Sequence, residues 1–339
     1  MTPEIETTAP PDLLASRRFN FAIVPPKPVP IFTLGNTVIS TVGNITNIQA
    51  PPKGGKSAVV ASMIAAVLNG NRQGPDTLGF SAENPDGKAV IHFDTEQSAY
   101  DHDQLIRRAL RRAKADEAPP WLMSYCVTDL GIADRKKALE AALEQGERDH
   151  GGIHSVIIDG IADLCASPND EAESFALVAS VLKMASTHST TVVTVLHENP
   201  GSESGKMRGH LGSELERKAE TPLRLAKDSN GITTIWSERA RHGYMPKESG
   251  LCFQWSDEAG MHVSCGDARQ IRSNATRAKM EEEASASFLH ADAMTHGELV
   301  STIEFALNLK ERSAKGRIQK WAAEGIITKG TNGKYTLAS

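Results

Sequence analysis

A bend rich in proline, lysine and glycine, "PPKGGKS" at residues 51–57, constrains this chain more than any other feature. Ahead of it "NITNIQA" reads as a β-strand, and behind it the longest apolar run, Ala58 to Leu68, reads as a buried helix. A strand that turns through glycine into a helix aims backbone N–H groups and a helix N-terminus at one point, which is how main chain binds phosphate. Gly54 and Gly55 let the backbone come close to an anion, Lys56 supplies a cation for the outer phosphates, and Ser57 supplies a hydroxyl for a magnesium ion. Lys53 and Ala58 complete the expected cradle. Ala50 stands where such loops usually begin with glycine, and alanine serves there if its backbone stays in a region open to L-residues.

The alternative, a turn that merely enters a helix, is weakened by the pattern of the rest of the chain. From Asn44 onward short β-rich runs alternate with longer helical stretches, the signature of a mainly parallel sheet flanked by helices. The expected strands are Ile45 to Gln49, Ala89 to Phe93, Leu122 to Val127, Ser155 to Ile158 and Thr191 to Leu196. Helices are expected near Lys56 to Leu68, Asp101 to Ala113, Arg135 to Glu147 and Glu171 to Ala185. After Glu220 the pattern becomes strand, turn, strand, with Ser229, Asn230 and Gly231 as a hairpin turn, so the sheet is expected to finish antiparallel.

A chain of 339 residues suggests two units. Residues 1–17 have the composition of a disordered tail, and residues 18–266 form the expected core with a small N-terminal β cap. Residues 267–290 read as a helical or flexible linker, and residues 291–339 as a small second domain. In that domain Thr295 and Glu298 offer a capping box, Ser313 a cap and Gly325 a stop for a further helix, and Asn332-Gly333 a hairpin turn. Ile318, Trp321 and Ala322 are expected on one face of that helix. The pattern looks like a winged helix.

A net charge of −5 gives no global reason to expect nucleic acid, so such a partner needs a local patch. The tail offers one: from Lys310 onward there are seven basic residues against two acidic ones. Lys315, Arg317, Lys320, Lys329 and Lys334 are the candidates for contacting duplex DNA, although such domains also dock proteins. Four scattered cysteines fit a reducing cytoplasm, and neither a secretory signal nor a bilayer-length apolar stretch is present, so no membrane partner is expected.

Other strand ends carry the residues a nucleotide hydrolase needs. "HSVIIDG" puts Asp159 where a carboxylate could share magnesium with Ser57. "HFDTEQS" puts Asp94 and Glu96 at the ligand-binding edge of the sheet, with Glu96 as the base that orients water. "VLHENPG" supplies His197 and Asn199 to sense the terminal phosphate, and "SERARHG" supplies Arg239 and Arg241, expected to point the same way from a strand.

Together these residues resemble the RecA-like ATPase family, above all its hexameric helicase branch of plasmid RepA-type and DnaB-type proteins, over about Thr41 to Val263. The N-terminal segment resembles mobile-element members described as AAA-type ATPases. The resemblance implies ATP and magnesium as cofactors, Lys56 and Glu96 as catalytic residues, Asp159 as the magnesium ligand and His197 as the sensor. It implies Arg239 and Arg241 as fingers reaching a neighbouring subunit in a hexameric ring. It also implies loops that touch single-stranded DNA, roughly Ala162 to Asp170 and Pro200 to Leu211, with Lys206 and Arg208 the candidates in the second. The expected function is a magnesium-dependent, helicase-type ATPase in replication or transfer of a mobile element. The rivals are an ATP-driven DNA-binding switch and a recombination mediator without unwinding activity.

Overall fold

The computed structural model describes residue 14 and residues 17–70, 72–198 and 209–338. Six parallel strands form the heart of the molecule. These are β3 (Ile45–Ala50), β5 (Ala89–Asp94), β6 (Leu122–Cys126), β7 (Ile153–Asp159), β8 (Thr191–His197) and β9 (Thr221–Lys227). Antiparallel β10 (Thr233–Trp236), β11 (Leu251–Ser256) and β12 (Met261–Asp267) extend the same sheet. Its order is β12-β11-β10-β9-β3-β8-β7-β5-β6. Strands β3, β5 and β7 are buried along their whole length, as a sheet covered on both faces requires.

Helices α1 (Lys56–Asn69) and α2 (Ala99–Ala113) cover one face, where Val60, Met63 and Ile64 pack with Ile48, Val193 and Leu105. Helices α3 (Ile132–His150), α4 (Glu171–Thr187) and α5 (Gly209–Lys218) cover the other, where Leu143, Val181 and Leu215 meet Ile91, Ile158 and Val192. The two hydrophobic sets are the alternate residues of the same strands. A three-stranded cap of β1 (Pro30–Leu34), β2 (Thr37–Thr41) and β4 (Phe80–Ser81) joins the first face through Phe32, Leu34 and Phe80. The mainly parallel sheet ending in antiparallel hairpins fits a RecA-like P-loop core. Asp228 closes the β9–β10 turn by accepting from the Asn230 and Ile232 amides at 2.9 Å each.

Residues 268–287 form one helix, α6, capped by a reciprocal Asp267–Gln270 box. Its second half is not a spacer: Met280, Ala284 and then Phe288 are buried with α7 (His296–Leu307) and α8 (Glu311–Ala323). The Thr295–Glu298 capping box starts α7. Helix α8 begins earlier than its sequence suggests, after Lys310, so Ser313 lies inside the first turn instead of capping it. Ala314, Ile318 and Trp321 face the core at spacings of four and three, which leaves Ala322 exposed. A hairpin of β13 (Ile327–Lys329) and β14 (Tyr335–Leu337) completes this unit.

Trp321 is the largest fully buried side chain of the C-terminal unit, and its indole N–H has no hydrogen-bond partner among the described residues. Trp321→Ala should remove about 3–5 kcal/mol from the unfolding of this unit. Urea titration followed by far-UV circular dichroism should show the loss in the transition of the C-terminal unit and leave that of the larger core unchanged.

Candidate functional site

The register of the parallel strands brings the polar strand ends together. Ala50 of β3 lies beside His197 of β8, and Asp94 of β5 beside Asp159 of β7. Ala50 is the last residue of its strand, fully buried, and its carbonyl accepts from Glu198 N–H at 3.1 Å. No left-handed backbone is needed there, so the absent glycine costs nothing. The turn sits one step later. Gly54 N–H donates to Pro51 O at 3.0 Å, and a Cβ on Gly54 would lie 2.9 Å from that oxygen. Gly55 has φ +96°, and a Cβ there would lie 2.8 Å from the Phe253 ring. Lys53 itself is left-handed at φ 60°, a strained conformation that functional loops often hold. The resulting bend fits an anion.

Lys56 is 7% exposed, and burial lowers its pKa against the pull of Glu96, Asp159 and Glu198. Its ammonium donates to His197 Nδ1 at 3.0 Å and reaches Pro51 O at 3.4 Å. His197 Nε2 in turn lies 3.0 Å from Glu96 Oε2. Because Lys56 can only donate, Nδ1 accepts and Nε2–H donates, so one neutral ring links the cation of the phosphate loop to the expected base.

Behind this relay the loop carrying Glu96 is held at several points. Asp94 Oδ1 accepts from the Glu96 and Gln97 amides at 3.0 Å each, and Asp94 Oδ2 pairs with His102 Nδ1 at 3.1 Å. Burial would raise the Asp94 pKa, but the His102 hydrogen bond and the two amides bring it below the ordinary carboxylate range. His102 Nε2 and His92 Nδ1 share the Ser124 hydroxyl at 3.1 and 2.9 Å, and the two rings stack at 5.3 Å. Burial pushes His92 down to about 4, so it stays neutral. Gly160 permits the closure over β7: at φ +103°, a Cβ would lie 2.1 Å from Thr95 Oγ1 and 2.7 Å from Glu96 Cγ. Of these residues only Asp94 is marked by its place at a strand tip. His92, His102 and Ser124 look like ordinary strand and helix residues until the strands are aligned.

Asp159 is buried, accepts from Gln97 Nε2 at 3.4 Å, and is pushed up to about 7 by burial and by the charges of Asp94 and Glu96. That is the setting in which a cation is needed to keep a carboxylate ionised, so its chemistry fits the expected magnesium ligand. Ser57, at the start of α1, is exposed at the mouth of the loop.

A cavity of about 390 Å³ opens over the loop, lined by Lys53 to Ala58, Glu96 and His197. Its far wall holds Leu105, Arg108 and Arg112 of α2 with Lys227, Met261 and His262, none of which stands out in the sequence. Arg112 ties α2 to the carbonyls of Asp76 and His262. Burial, with the charges of Lys227, Arg112 and Arg108, holds His262 neutral at about 4.

The two arginines depart from expectation. Residues 238–244 form a loop closed by a Ser237–Met245 bridge, not a strand, so alternation does not orient them. Arg239 pairs with Glu216 of α5, and Arg241 donates to Lys218 O at 3.3 Å. Both are exposed, and neither lines the cavity of its own chain. Buried Glu220 anchors this loop: its carboxylate accepts from the Thr41 amide and hydroxyl at 2.7 and 2.6 Å and from His242 at 2.8 Å.

Asn199, Lys206 and Arg208 lie outside the described residues. In the C-terminal unit Lys315 pairs with Glu311 at 2.6 Å and Arg317 with Glu283 of α6 at 3.1 Å, so part of the basic excess is locally neutralised. Lys320 and Lys334 are exposed, and Lys329 lies over the Tyr335 ring.

The Asp159 carboxyl titrates near 3.8 when unfolded and about 7 when folded, so the folded chain holds the extra proton between those values and loses stability as pH rises through them. Without nucleotide or magnesium, Asp159→Asn should melt above the parent at pH 8, and the gap should close by pH 4 in calorimetric scans. Among known proteins, no curated sequence matches the chain. Residues 38–203 match the family model described as an AAA domain, and that match, over the segment holding the phosphate loop, Glu96, Asp159 and His197, supports a nucleotide-binding P-loop ATPase.

Proposed function

We propose that this chain is a magnesium-dependent ATPase of the RecA-like helicase type, acting on DNA in replication or transfer of a mobile element. The observation that carries the reading is the Lys56–His197–Glu96 relay at the mouth of the phosphate loop. A terminal phosphate seated in that loop competes with His197 for Lys56. His197 then turns its polar edge to the phosphate, and Glu96 is released to orient a water for in-line attack. Ser57 and Asp159 would hold a magnesium ion, which would supply charge neutralisation for the phosphate oxygens.

Arg239 and Arg241 act as fingers in the site of the next subunit of a ring, which suits their exposure and their absence from the lining of their own cavity. The C-terminal unit acts as a winged helix in which Lys320, Lys329 and Lys334 meet duplex phosphates, with Lys315 and Arg317 joining once DNA competes for their acidic partners. Single-stranded DNA is held by the core loops that include Lys206 and Arg208.

ATP hydrolysis with and without single-stranded DNA tests this. Lys56→Ala should abolish nucleotide binding. Glu96→Gln should bind nucleotide yet turn over at least 100-fold more slowly. Arg241→Ala should be similarly slow, but mixing it with Glu96→Gln protein should restore part of the rate, because sound halves can then meet at one interface. Parent-like hydrolysis by Lys56→Ala overturns the ATPase reading, absence of rescue overturns fingers in trans, and DNA-responsive hydrolysis without strand displacement overturns unwinding.

A further inference from the structure

Beneath the strand ends that carry Asp94 and Asp159 lies a third side chain able to bind a cation. His92 stands two residues before Asp94 on β5, so both point to the same face of the sheet. Asp159 lies level with Asp94 on the neighbouring strand β7. His92 and Asp94 are 0% exposed and Asp159 is 3% exposed, and one ligating atom of each lies within 4.8 Å of the others. Among the described residues this is the one such group of histidine, cysteine, aspartate or glutamate side chains.

Hydrogen bonding decides which nitrogen of His92 carries its lone pair. Asp94 is kept ionised by its hydrogen bonds and can only accept, so His102 Nδ1, 3.1 Å from Asp94 Oδ2, carries a proton. The neutral His102 ring accepts at Nε2 from the Ser124 hydroxyl at 3.1 Å. With its one hydrogen so placed, Ser124 Oγ accepts from His92 Nδ1–H at 2.9 Å. The lone pair of His92 therefore sits on Nε2, which has no hydrogen-bond partner among the described residues. A buried acceptor without a donor is costly, and burial, which pushes His92 down to about 4, disfavours a proton there. Carboxylate oxygens are at hand: Asp94 Oδ2 keeps a lone pair beyond His102, and Asp159 accepts a single long side-chain bond among the described residues.

We propose that His92 Nε2, Asp94 and Asp159 form a buried site for a divalent transition ion, zinc by its ligand chemistry, behind the position expected for magnesium and sharing only Asp159 with it. Imidazole nitrogen with carboxylate oxygen suits zinc, whereas magnesium takes oxygen and keeps its waters. The bond from His92 Nδ1–H to Ser124 is the outer contact by which a metal-binding histidine is oriented. Zinc bonds nitrogen and oxygen at about 2.0–2.2 Å, so its ligands stand roughly 3.5 Å apart, and small rotations of three side chains already within 4.8 Å bring them there. Such a site needs no nucleotide.

Zinc titrated into the full-length chain against a chelating dye, without magnesium or nucleotide, should fill a site that His92→Asn weakens at least tenfold. Asparagine keeps an N–H for Ser124 and lacks the nitrogen at Nε2. Zinc should also raise the melting temperature of the parent more than that of His92→Asn. Anomalous scattering from zinc-soaked crystals of the parent locates the ion however the variant folds, and should place it against His92 Nε2. Parent-like zinc affinity in a folded His92→Asn, a parent that binds no zinc, or an ion found only on other histidines or cysteines would each overturn the proposal. Failure of the nucleotide reading looks different: Lys56→Ala would bind ATP like the parent, while zinc still bound at His92.

Discussion

The in-register parallel pairing of β3, β8, β7 and β5 is the constraint on which the site depends. It sets four strand ends level, so residues more than a hundred positions apart arrive within hydrogen-bonding distance: Lys56 and His197 at 3.0 Å, His197 and Glu96 at 3.0 Å. A slip of one residue in any strand would turn its polar tip to the opposite face and bury it in the packing of the helices. The register is in turn enforced by the strands' burial on both faces, because every alternative would move fully buried valines and isoleucines out of contact.

The edge so formed is crowded with charge, and its two aspartates are out of reach of water. Asp94 and Asp159 face each other across adjacent strands, and they are treated differently. Asp94 is held by two amides and His102 and stays ionised as a fixed part of the scaffold. Among the described residues Asp159 has a single long side-chain bond, from Gln97, and it is pushed toward neutrality, which leaves it as the carboxylate that a cation would restore. Two like acids thus acquire a structural and a ligand-facing character: hydrogen bonds outweigh burial at Asp94, whereas burial and the charges of Asp94 and Glu96 prevail at Asp159.

Much of this is legible in the sequence. The phosphate loop, the parallel core and the polar strand tips announce themselves locally, because each is written in a run of a few residues whose period or glycine content has one physical reading. What stays hidden depends on alignment across the chain. His92, His102 and Ser124 form a network only once β5, β6 and α2 are packed. The cationic far wall of the cavity joins α2 to β9 and β12, and Glu220 reveals itself only as the anchor of a distant loop. The arginine pair escapes a reading by alternation because the chain leaves the sheet at Ser237, and alternation orients side chains only within a strand. Similarly, Ser313 looks like a cap because serine favours that position, yet packing of Ala314, Ile318 and Trp321 draws the helix start back to Glu311.

Helix α6 roots in the last strand of the sheet and finishes inside the C-terminal core, where Arg317 pins it through Glu283. Its 20 residues make a rod on the order of 30 Å long, with no proline or glycine to bend it. A stiff shaft converts angle into travel: tilting its base by roughly 10° sweeps the far tip through about 5 Å. Rocking of β12 would therefore swing the whole terminal module like a crank arm.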